Sequence, residues 1–480
     1  MNDNYEIVVG LEVHAELSTK TKIFCGCKNE FGAEVNTHVC PVCMGLPGTL
    51  PVLNEKVVEY AVKMGHALNC HINGVTKQDR KNYFYPDLPK SYQISQFDVP
   101  LCENGYLDIL LGDETKRIGI TRIHIEEDAG KLIHDDELGG TLADYNRCGV
   151  PLIEIVSEPD MRSAEEAKIY LETIHTTLLY LGISDAKMQE GSVRCDVNVS
   201  IRPKGATEFG TRVEMKNVNS FSAAYRAIIY EANRQLEEMA KGNTIAQETR
   251  KWDDVKGKNI LLRSKEDAQD YRYFPDPDLL TFIVPQEEID RLKAELPELP
   301  VAKTIRYIKD FGLSKADAQL IALNKERASF FDTCAALKKC DARGISNWII
   351  GDITRILNEK RCEINDTALT PQNLADMVAL IDNKTISNAA GKTILDVIID
   401  KDVSPMDIVK EKGLAQISDS SALKTIVDNV ISANEKAVVD YKAGKTNVVG
   451  FLVGQCMKAS KGQGNPAMFK DMVVAGIEAK

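Results

Sequence analysis

Alternating hydrophobic and polar residues mark several segments before residue 290, and this period of two is typical of half-buried β-strands. The segments are 6–17, 118–125, 151–156, 193–202 and 211–217. Two helical patterns interrupt them: one begins at a Ser163–Glu166 capping box and ends at Gly182, and the other covers 223–241. Beyond residue 290 the apolar residues recur at helical spacing. We therefore predict an α+β fold, with a mainly antiparallel sheet followed by all-helical parts.

The change of pattern near residue 290 also sets the predicted domain boundaries. A sheet-rich catalytic domain is predicted over 1–292, and a helical domain over 293–403. The segment 404–480 has the pattern of a compact helical tail, with a Gly-rich stretch at 461–466. A chain of 480 residues is long enough for three domains of ordinary size.

The polar face of the first predicted strand carries an unusual pair of residues. Because alternate side chains of a strand share a face, Glu12 and His14 project together, and the apolar residues Leu11 and Val13 lie on the opposite face. A solvated sheet face would account for this strand taken alone. Similar residues recur in other predicted strands, however, so a shared site is the competing explanation.

Other predicted strands also carry acids among apolar or basic residues. Glu154 interrupts the apolar segment 151–156, and Glu214 shares a face with Arg212 and Lys216. The strand at 118–125 leads directly into Glu126, Glu127 and Asp128. If these faces meet in one sheet, they form a floor of carboxylates with a histidine and several arginines. Such groups suit Mg²⁺ or Mn²⁺ together with phosphate oxygens, and hence metal-assisted phosphoryl transfer.

Four of the twelve cysteines are clustered, at Cys25, Cys27, Cys40 and Cys43. Four thiolates at this spacing can close tetrahedrally on Zn²⁺, and four sulfur ligands leave no open position for catalysis. We therefore predict a structural zinc that fixes the loop after the first strand, with four reduced free thiols as the alternative. The other cysteines are scattered singly, which argues against a disulfide framework.

Composition limits the class of protein. Hydrophobic residues make up 44% and charged residues 27% of the chain, without a run of about 18 apolar residues. The N-terminus lacks the pattern of a secretory signal, so a cytoplasmic location is expected. The net charge of -12 predicts that any contact with nucleic acid is local. No P-loop or protein-kinase signature occurs, so a nucleotide site must be of another kind.

Two local segments suit such contacts with nucleic acid. The segment 80–93 mixes basic residues with aromatics, which is typical of RNA binding and equally of a packed loop. Between Tyr441 and Lys470 there are five lysines and no acidic residue. They are Lys442, Lys445, Lys458, Lys461 and Lys470. Such lysines suit phosphate contacts that position an RNA, and a solvated helical surface is the alternative.

Six stretches of the sequence form long motifs in a fixed order. They are 9–14 (Val-Gly-Leu-Glu-Val-His), 80–96, 122–131, 151–160, 190–198 and 214–220. Together they closely resemble the B subunit of the heterotrimeric aspartyl/glutamyl-tRNA amidotransferase. The resemblance is dense to about residue 285 and continues to the C-terminus. It implies a cradle-shaped catalytic domain, a helical domain and a helical tail that touches the body of the tRNA.

The resemblance also implies an activity, partners and site residues. The B subunit activates the side-chain carboxylate of a tRNA-bound Glu or Asp by phosphorylating it with ATP. Ammonia, which the glutaminase partner (the A subunit) releases from glutamine, then arrives through a channel, and a small C subunit bridges the two. The implied Mg²⁺ ligands are Glu12, His14, Glu127, Glu154 and Glu214, and Lys90 and Tyr83 match positions near the ammonia route. This chain also matches the cysteine-bearing variety of the family.

Two other functions compete with the amidotransferase. A non-catalytic RNA-binding scaffold would use the acidic face only structurally, and the presence of all five implied ligands argues against it. A zinc hydrolase would need an open metal position, which four cysteine ligands do not leave. Within the amidotransferase hypothesis the substrate is Glu-tRNA, Asp-tRNA or both.

Overall fold

The computed structural model describes residues 4–112, 114–135, 137, 139–264, 270–416, 420–460 and 463–479. The chain forms two compact units, Met1–Lys303 and Thr304–Lys480. The first unit is rich in strands and the second is helical, which confirms the predicted α+β class. The division into 1–292, 293–403 and 404–480 stays a prediction. No helix within these described ranges is both long and apolar enough to span a membrane.

A nine-stranded sheet dominates the described part of the first unit. The strands of this unit are β1 Tyr5–Glu16, β2 His71–Ile72, β3 Val75–Thr76, β4 Asp79–Asn82, β5 Tyr92–Ser95, β6 Cys102–Leu111, β7 Glu114–Glu127, β8 Lys131–Asp135, β9 Gly140–Asp144, β10 Pro151–Ser157, β11 Val193–Pro203, β12 Val213–Val218, β13 Glu248–Asp253, β14 Lys258–Ser264, β15 Phe274–Pro275 and β16 Phe282–Ile283. The large sheet has the order β14-β13-β12-β11-β1-β10-β7-β6-β2, and β15-β4-β5 form a small separate sheet. Neighbouring strands of the large sheet are antiparallel except β12 and β13. The prediction of a mainly antiparallel sheet is therefore confirmed.

Helices pack against one face of the large sheet. The helices of this unit are α1 Glu55–Ala67, α2 Ala164–Leu181, α3 Phe221–Ala240 and α4 Gln286–Ala294. Ser163 caps the start of α2 as predicted, because its side chain accepts a hydrogen bond from the Glu166 amide. The Glu166 carboxylate accepts its hydrogen bond from the Arg162 amide, one residue before the predicted partner. Gly182 ends the helix with a left-handed backbone. Such a cap contributes about 1 kcal/mol to helix stability. Ser220 starts α3 slightly earlier than the pattern predicted.

The alternation of residues within each strand separates the core from the site. Leu11, Val13, Val197 and Ile155 are almost fully buried in the core that the sheet forms with the helices. Each such side chain contributes roughly 1.5–3 kcal/mol by leaving water. The polar residues of the same strands must therefore lie on the opposite face, where they can form a site.

The second unit is built from helices. Beginning with one that crosses the boundary between the units, they are α5 Pro300–Phe311, α6 Lys315–Ala322, α7 Lys325–Ala336, α8 Ala342–Trp348, α9 Thr354–Lys360, α10 Pro371–Asp382, α11 Asn388–Ile398, α12 Pro405–Lys412, α13 Ser420–Ala433, α14 Glu435–Lys442, α15 Val448–Ala459 and α16 Pro466–Glu478. A π-helical turn, Ile349–Ile353, joins α8 to α9, and a 3-10 turn, Ile364–Asp366, follows α9. Helices α13 to α16 share a core of their own around Leu452 and Phe469.

Candidate active site

The polar face of the nine-stranded sheet forms the floor of one cavity of about 740 Å³. Strand pairing brings its residues side by side: His14 on β1 lies opposite Glu154 on β10, and Glu12 lies opposite Asp196 on β11. Glu154 in turn lies opposite His124 on β7. The polar faces of these strands therefore meet in a single surface.

Three residues that could bind a metal lie together on this floor. The ligand atoms of His14, Glu126 and Glu154, the first acidic cluster, all lie within 4.8 Å of one another. His14 Nε2 is 3.7 Å from Glu126 Oε1 and 3.5 Å from Glu154 Oε2. His124 Nε2 is 3.3 Å from the same Glu154 oxygen. Two carboxylates and an imidazole are the hard oxygen and nitrogen donors that suit Mg²⁺ or Mn²⁺.

The charges of the first acidic cluster depend on one another. Burial alone would lower the pKa of His14, but the carboxylates of Glu154 and Glu126 raise it to about 9. Burial would likewise raise the pKa of Glu154, but His124 and His14 hold that pKa well below its ordinary value. At neutral pH Glu154 is therefore ionised and His14 carries a proton. A divalent cation would have to displace that proton, because an imidazole ligand is neutral.

A second acidic cluster lies beside the first and consists of Glu12, Asp196 and Glu214, whose carboxylate oxygens approach within 4.8 Å. Asn198 Nδ2 donates a hydrogen bond of 3.0 Å to Glu12 Oε1, and Thr249 Oγ1 donates one of 2.8 Å to Glu214 Oε2. Burial and the nearby carboxylate of Glu154 raise the pKa of Glu12. Several carboxylates are thus held close together, and without a bound cation their mutual repulsion costs free energy.

Basic side chains complete the lining of the cavity. Lys216 pairs with Asp196, and its Nζ is 2.9 Å from Glu214 Oε1. Burial would lower the pKa of Lys81, but the carboxylates of Glu126 and Glu154 raise it. The arginines that line the same cavity are Arg122, Arg212 and Arg263. A polyphosphate could bind between metal ions held by the carboxylates on one side and the positively charged lysines and arginines on the other.

The Glu127 carboxylate does not lie in either acidic cluster. Lys90 Nζ donates a hydrogen bond of 2.7 Å to Glu127 Oε2, and the Ile94 amide donates one of 2.8 Å to Glu127 Oε1. Neighbouring residues of a strand lie on opposite faces, so Glu126 takes the place in the first cluster that was expected for Glu127. The role of Glu127 as a metal ligand stays a prediction, and Glu126 is the residue whose carboxylate lies in the first cluster. The other implied ligands, which do lie in the clusters, are Glu12, His14, Glu154 and Glu214.

The two residues implied near an ammonia route lie in different surroundings. Lys90 and Glu127 line a smaller cavity of about 210 Å³ together with Phe24. The Tyr83 ring instead packs edge-on against Tyr271, with ring centroids 5.9 Å apart, and Tyr271 lines the large cavity. The role of both residues in ammonia transfer stays a prediction.

The four clustered cysteines form a compact group of thiols. The Sγ atoms of Cys25, Cys27, Cys40 and Cys43 all lie within 4.8 Å of one another. A β-bridge between Thr21 and Lys28 folds the chain back around the first pair, and the Lys22 amide donates to the Cys27 carbonyl oxygen at 3.0 Å. The Cys40 amide donates to Cys43 Sγ at 3.1 Å. This arrangement fits a four-thiolate metal site.

One thiol of this group is poised to lose its proton. A hydrogen bond from the Cys25 thiol lowers the pKa of Cys43 to about 5. Lys22 Nζ, 3.8 Å from Cys43 Sγ, acts in the same direction. Burial raises the pKa of Cys27 to about 11. The protein thus stabilises only part of the negative charge of four thiolates, and a divalent cation would be needed to ionise the rest.

Lysines predicted to contact tRNA lie on the surface of the tail helices. Lys442 is the last residue of α14, Lys445 follows in the loop, and Lys458 lies near the end of α15; all three are exposed. Lys445 Nζ is 3.0 Å from Asp440 Oδ1. Lys461 lies outside the described residues. Binding of tRNA by these lysines stays a prediction.

Three site residues were not assigned from the sequence: Glu126, His124 and Asp196. The predicted strand 118–125 stopped two residues short of the end of β7 at Glu127. Had it been extended, alternation would have placed Arg122, His124 and Glu126 on one face. Asp196 shares a face with Arg194 and Asn198 in 193–202, but alternation does not say which strand lies next to that strand.

Comparison with known proteins gives the same family at both ends of the chain. A family model described as the GatB/GatE catalytic domain matches residues 7–290, and one described as the GatB domain matches residues 329–476. A protein of Caldicellulosiruptor bescii is 54% identical over 477 residues, which cover 99% of each chain. A protein of Thermoanaerobacter sp. (strain X514) is 54% identical over 97% of each chain, and one of Clostridium botulinum (strain Hall) is 52% identical over 98% of each. All three are named as the B subunit of an aspartyl/glutamyl-tRNA(Asn/Gln) amidotransferase.

Proposed function

The chain belongs to the family of aspartyl/glutamyl-tRNA(Asn/Gln) amidotransferase B subunits, and we propose that it uses ATP to phosphorylate the side-chain carboxylate of misacylated Glu-tRNA(Gln), Asp-tRNA(Asn) or both. Ammonia from the glutaminase partner, the A subunit, then converts the activated group into the amide, and a small C subunit joins the two larger ones. The observation that carries the proposal is the pair of adjacent acidic clusters on the floor of one cavity with basic side chains.

The chemistry explains why a carboxylate needs ATP here. Direct attack by ammonia on a carboxylate would have to expel an oxide ion, which is a very poor leaving group. In the proposed reaction a carboxylate oxygen attacks the γ-phosphorus of ATP, and the bond to ADP breaks. Ammonia then adds to the carbonyl carbon, gives up a proton and expels inorganic phosphate. That phosphate keeps one oxygen of the original carboxylate.

The two acidic clusters fit a divalent cation. His14, Glu126 and Glu154 would hold one, and Glu12, Asp196 and Glu214 supply a second set of oxygen donors. Bound Mg²⁺ or Mn²⁺ would offset negative charge on ATP and on the attacking carboxylate. Glu127, implied as a ligand by the family resemblance, instead accepts hydrogen bonds from Lys90 and Ile94, so Glu126 is the better candidate.

The basic residues have a complementary role in this proposal. Lys216 offsets part of the negative charge of the second acidic cluster through its pairs with Asp196 and Glu214. Arg212 and Arg263 line the cavity, and their planar groups suit phosphate oxygens. In phosphoryl transfer the protein acts mainly by positioning the reactants and stabilising charge, so the side chains need not react covalently.

Lys90 and Tyr83 are proposed to lie near the path of ammonia from the glutaminase partner. The ion pair of Lys90 with Glu127 lines the smaller cavity of about 210 Å³. Glu127 follows Glu126 directly in β7, so this ion pair adjoins the strand that supplies the first acidic cluster. An ion pair there can orient a small polar molecule through hydrogen bonds without offering it a long-lived binding site.

A structural Zn²⁺ is proposed at the four cysteines. The closeness of the four sulfur atoms supports it, as does the lowered pKa of Cys43. Four sulfur ligands leave no position for a reacting water, so this metal would stabilise the loop and take no part in the chemistry.

Metal analysis of the purified chain should find about one zinc per chain, as for a closed four-ligand site. Cys40→Ser should lose most of that zinc and lower the thermal unfolding midpoint, because binding of the metal contributes to folding. Cys340→Ser changes a half-buried thiol outside the cluster and should keep the zinc. A Cys40→Ser chain that loses stability but keeps its full zinc content would contradict the assignment.

ATP consumption tests the proposed function directly. The assembled complex should convert ATP to ADP only when misacylated tRNA is present, since the carboxylate to be phosphorylated is on that tRNA. Correctly acylated Gln-tRNA is the matched control, because it lacks a free side-chain carboxylate. A complex that binds tRNA but consumes no ATP with misacylated tRNA would favour an RNA-binding scaffold instead.

A further inference from the structure

The large cavity has an aromatic side that the acidic clusters do not use. Phe97, Tyr271 and Tyr273, the aromatic wall, line it together. We propose that this wall binds an adenine ring by stacking. The inference rests on the proposed function, because both ATP and the 3′ end of tRNA carry an adenosine.

The geometry of the aromatic wall suits a planar base. The rings of Phe97 and Tyr273 are stacked, with centroids 4.3 Å apart and planes inclined by 9°. Tyr271 meets Tyr273 edge-on at 6.2 Å. Phe97 is 58% exposed in a cavity whose lining is mostly charged. Contact with water does not stabilise an apolar ring, so its exposure needs another explanation. Exposed aromatic side chains of this kind bind nucleotide bases by stacking on their π-faces.

Hydrogen bonds hold the wall in place before a ligand binds. The Phe97 amide donates to Asp79 Oδ2 at 3.0 Å, and the Asn82 amide donates to the Tyr271 carbonyl oxygen at 3.0 Å. Asn82 Nδ2 also donates to the Arg272 carbonyl oxygen at 2.8 Å. Both anchoring residues belong to β4, in the small sheet. A preformed wall loses little conformational entropy when it binds a base.

The wall also lies next to the groups that a nucleotide would need. The Ile125 amide, one residue before Glu126 on β7, donates to Gln96 Oε1 at 2.9 Å and ties the segment of Phe97 to the sheet. Lys81 lines the same cavity, and its Nζ is 4.9 Å from the centroid of the Tyr271 ring. An adenosine stacked on the wall would therefore have a cation beside its ribose and phosphates, and the acidic clusters beyond.

Ring removal at the wall tests the proposal in the assembled complex. Phe97→Ala and Tyr273→Ala remove one stacking ring each, and Phe97→Tyr and Tyr273→Phe keep it. Phe209→Ala is the matched control, because Phe209 is 58% exposed, as Phe97 is, and is absent from the lining of the cavity. Binding is measured by equilibrium dialysis with ATP, and separately with uncharged tRNA ending in CCA or shortened to CC.

If the wall holds the base of ATP, each alanine variant should bind ATP about 10-fold more weakly, the order expected for one lost stack. Its affinity for the two tRNA forms should then match the wild type. If the wall holds the terminal adenosine, the wild type should prefer the CCA form by about 10-fold, and the alanine variants should lose that preference. In both cases the ring-keeping variants and Phe209→Ala should resemble the wild type.

Unchanged binding of ATP and of both tRNA forms in Phe97→Ala and Tyr273→Ala would overturn the proposal. So would an equal loss in the ring-keeping variants, since that would indicate damage to the fold rather than a lost stack. The proposed function fails in a different way, through a wild-type complex that consumes no ATP with misacylated tRNA. Binding to the wall is measured without turnover, so the two failures are distinguishable.

Discussion

Deletion of the tail from Ser404 onward should raise the KM for misacylated tRNA by about 10-fold or more, which corresponds to roughly 1.4 kcal/mol of lost binding. The tail carries exposed lysines at Lys442, Lys445 and Lys458 in a chain whose net charge is -12. Each lysine that neutralises an RNA phosphate releases bound counterions, so its loss weakens binding. Glutamine hydrolysis by the partner without tRNA should barely change, because the tail is proposed to contact only the RNA.

The dependence of tRNA binding on salt provides the control for this deletion. The slope of log K against log salt should fall by about 0.7–0.9 for each lost phosphate contact. A full-length triple variant, with Lys442, Lys445 and Lys458 changed to Gln, should show a similar but smaller effect without removing any helix. The matched control changes three exposed lysines that precede the tail in the helical unit, which are Lys384, Lys392 and Lys401. An unchanged KM together with an unchanged slope would rule out the tail as a tRNA-binding element.

The sequence predicted much of the catalytic sheet because the relevant signals are local. Period-two alternation identified the strand with Glu12 and His14, and the capping box at Ser163 identified the start of α2. The order of the strands could not be read in this way. Strands β1 and β11 pair although almost 180 residues separate them, and β12 and β13 are parallel within an otherwise antiparallel sheet. Such pairings depend on packing across the whole unit.

The candidate site was predicted only in part, for the same physical reason. Alternation tells which residues share a face, but Glu126 and Glu127 are neighbours, and the choice between them depends on where the strand ends. The structure places Glu126 in the first acidic cluster, whereas Glu127 accepts a hydrogen bond from Lys90. The thiol cluster was easier to predict, since two short cysteine spacings define it without knowledge of the fold.

Glu154→Gln should lower the rate of amide formation by about 100- to 1000-fold, the scale found when one preorganised group that stabilises charge in the transition state is removed. Glu154 Oε2 lies 3.5 Å from His14 and 3.3 Å from His124, and its pKa is held well below the ordinary value, so its charge is present at neutral pH. Glutamine keeps the shape of the side chain but not the charge. Glutamine hydrolysis by the glutaminase partner should remain measurable, because it is proposed to occur elsewhere.

A matched control separates this effect from general damage to β10. Glu158 lies just beyond the same strand, is exposed, and accepts a hydrogen bond of 2.8 Å from Thr121. Glu158→Gln should therefore amidate tRNA at close to the wild-type rate. A normal yield of amidated tRNA from Glu154→Gln would remove that residue from the mechanism.

The most direct test of the central claim follows the oxygen atoms of the substrate. Misacylated tRNA carrying ¹⁸O in the side-chain carboxylate is incubated with the complex, ATP and glutamine, and the inorganic phosphate is analysed by mass spectrometry. If the carboxylate is phosphorylated and ammonia expels the phosphate, each amide formed should yield one phosphate that carries one ¹⁸O, and Glu154→Gln should reduce both products together. Label in AMP, or amidated tRNA with no label in phosphate, would contradict the account.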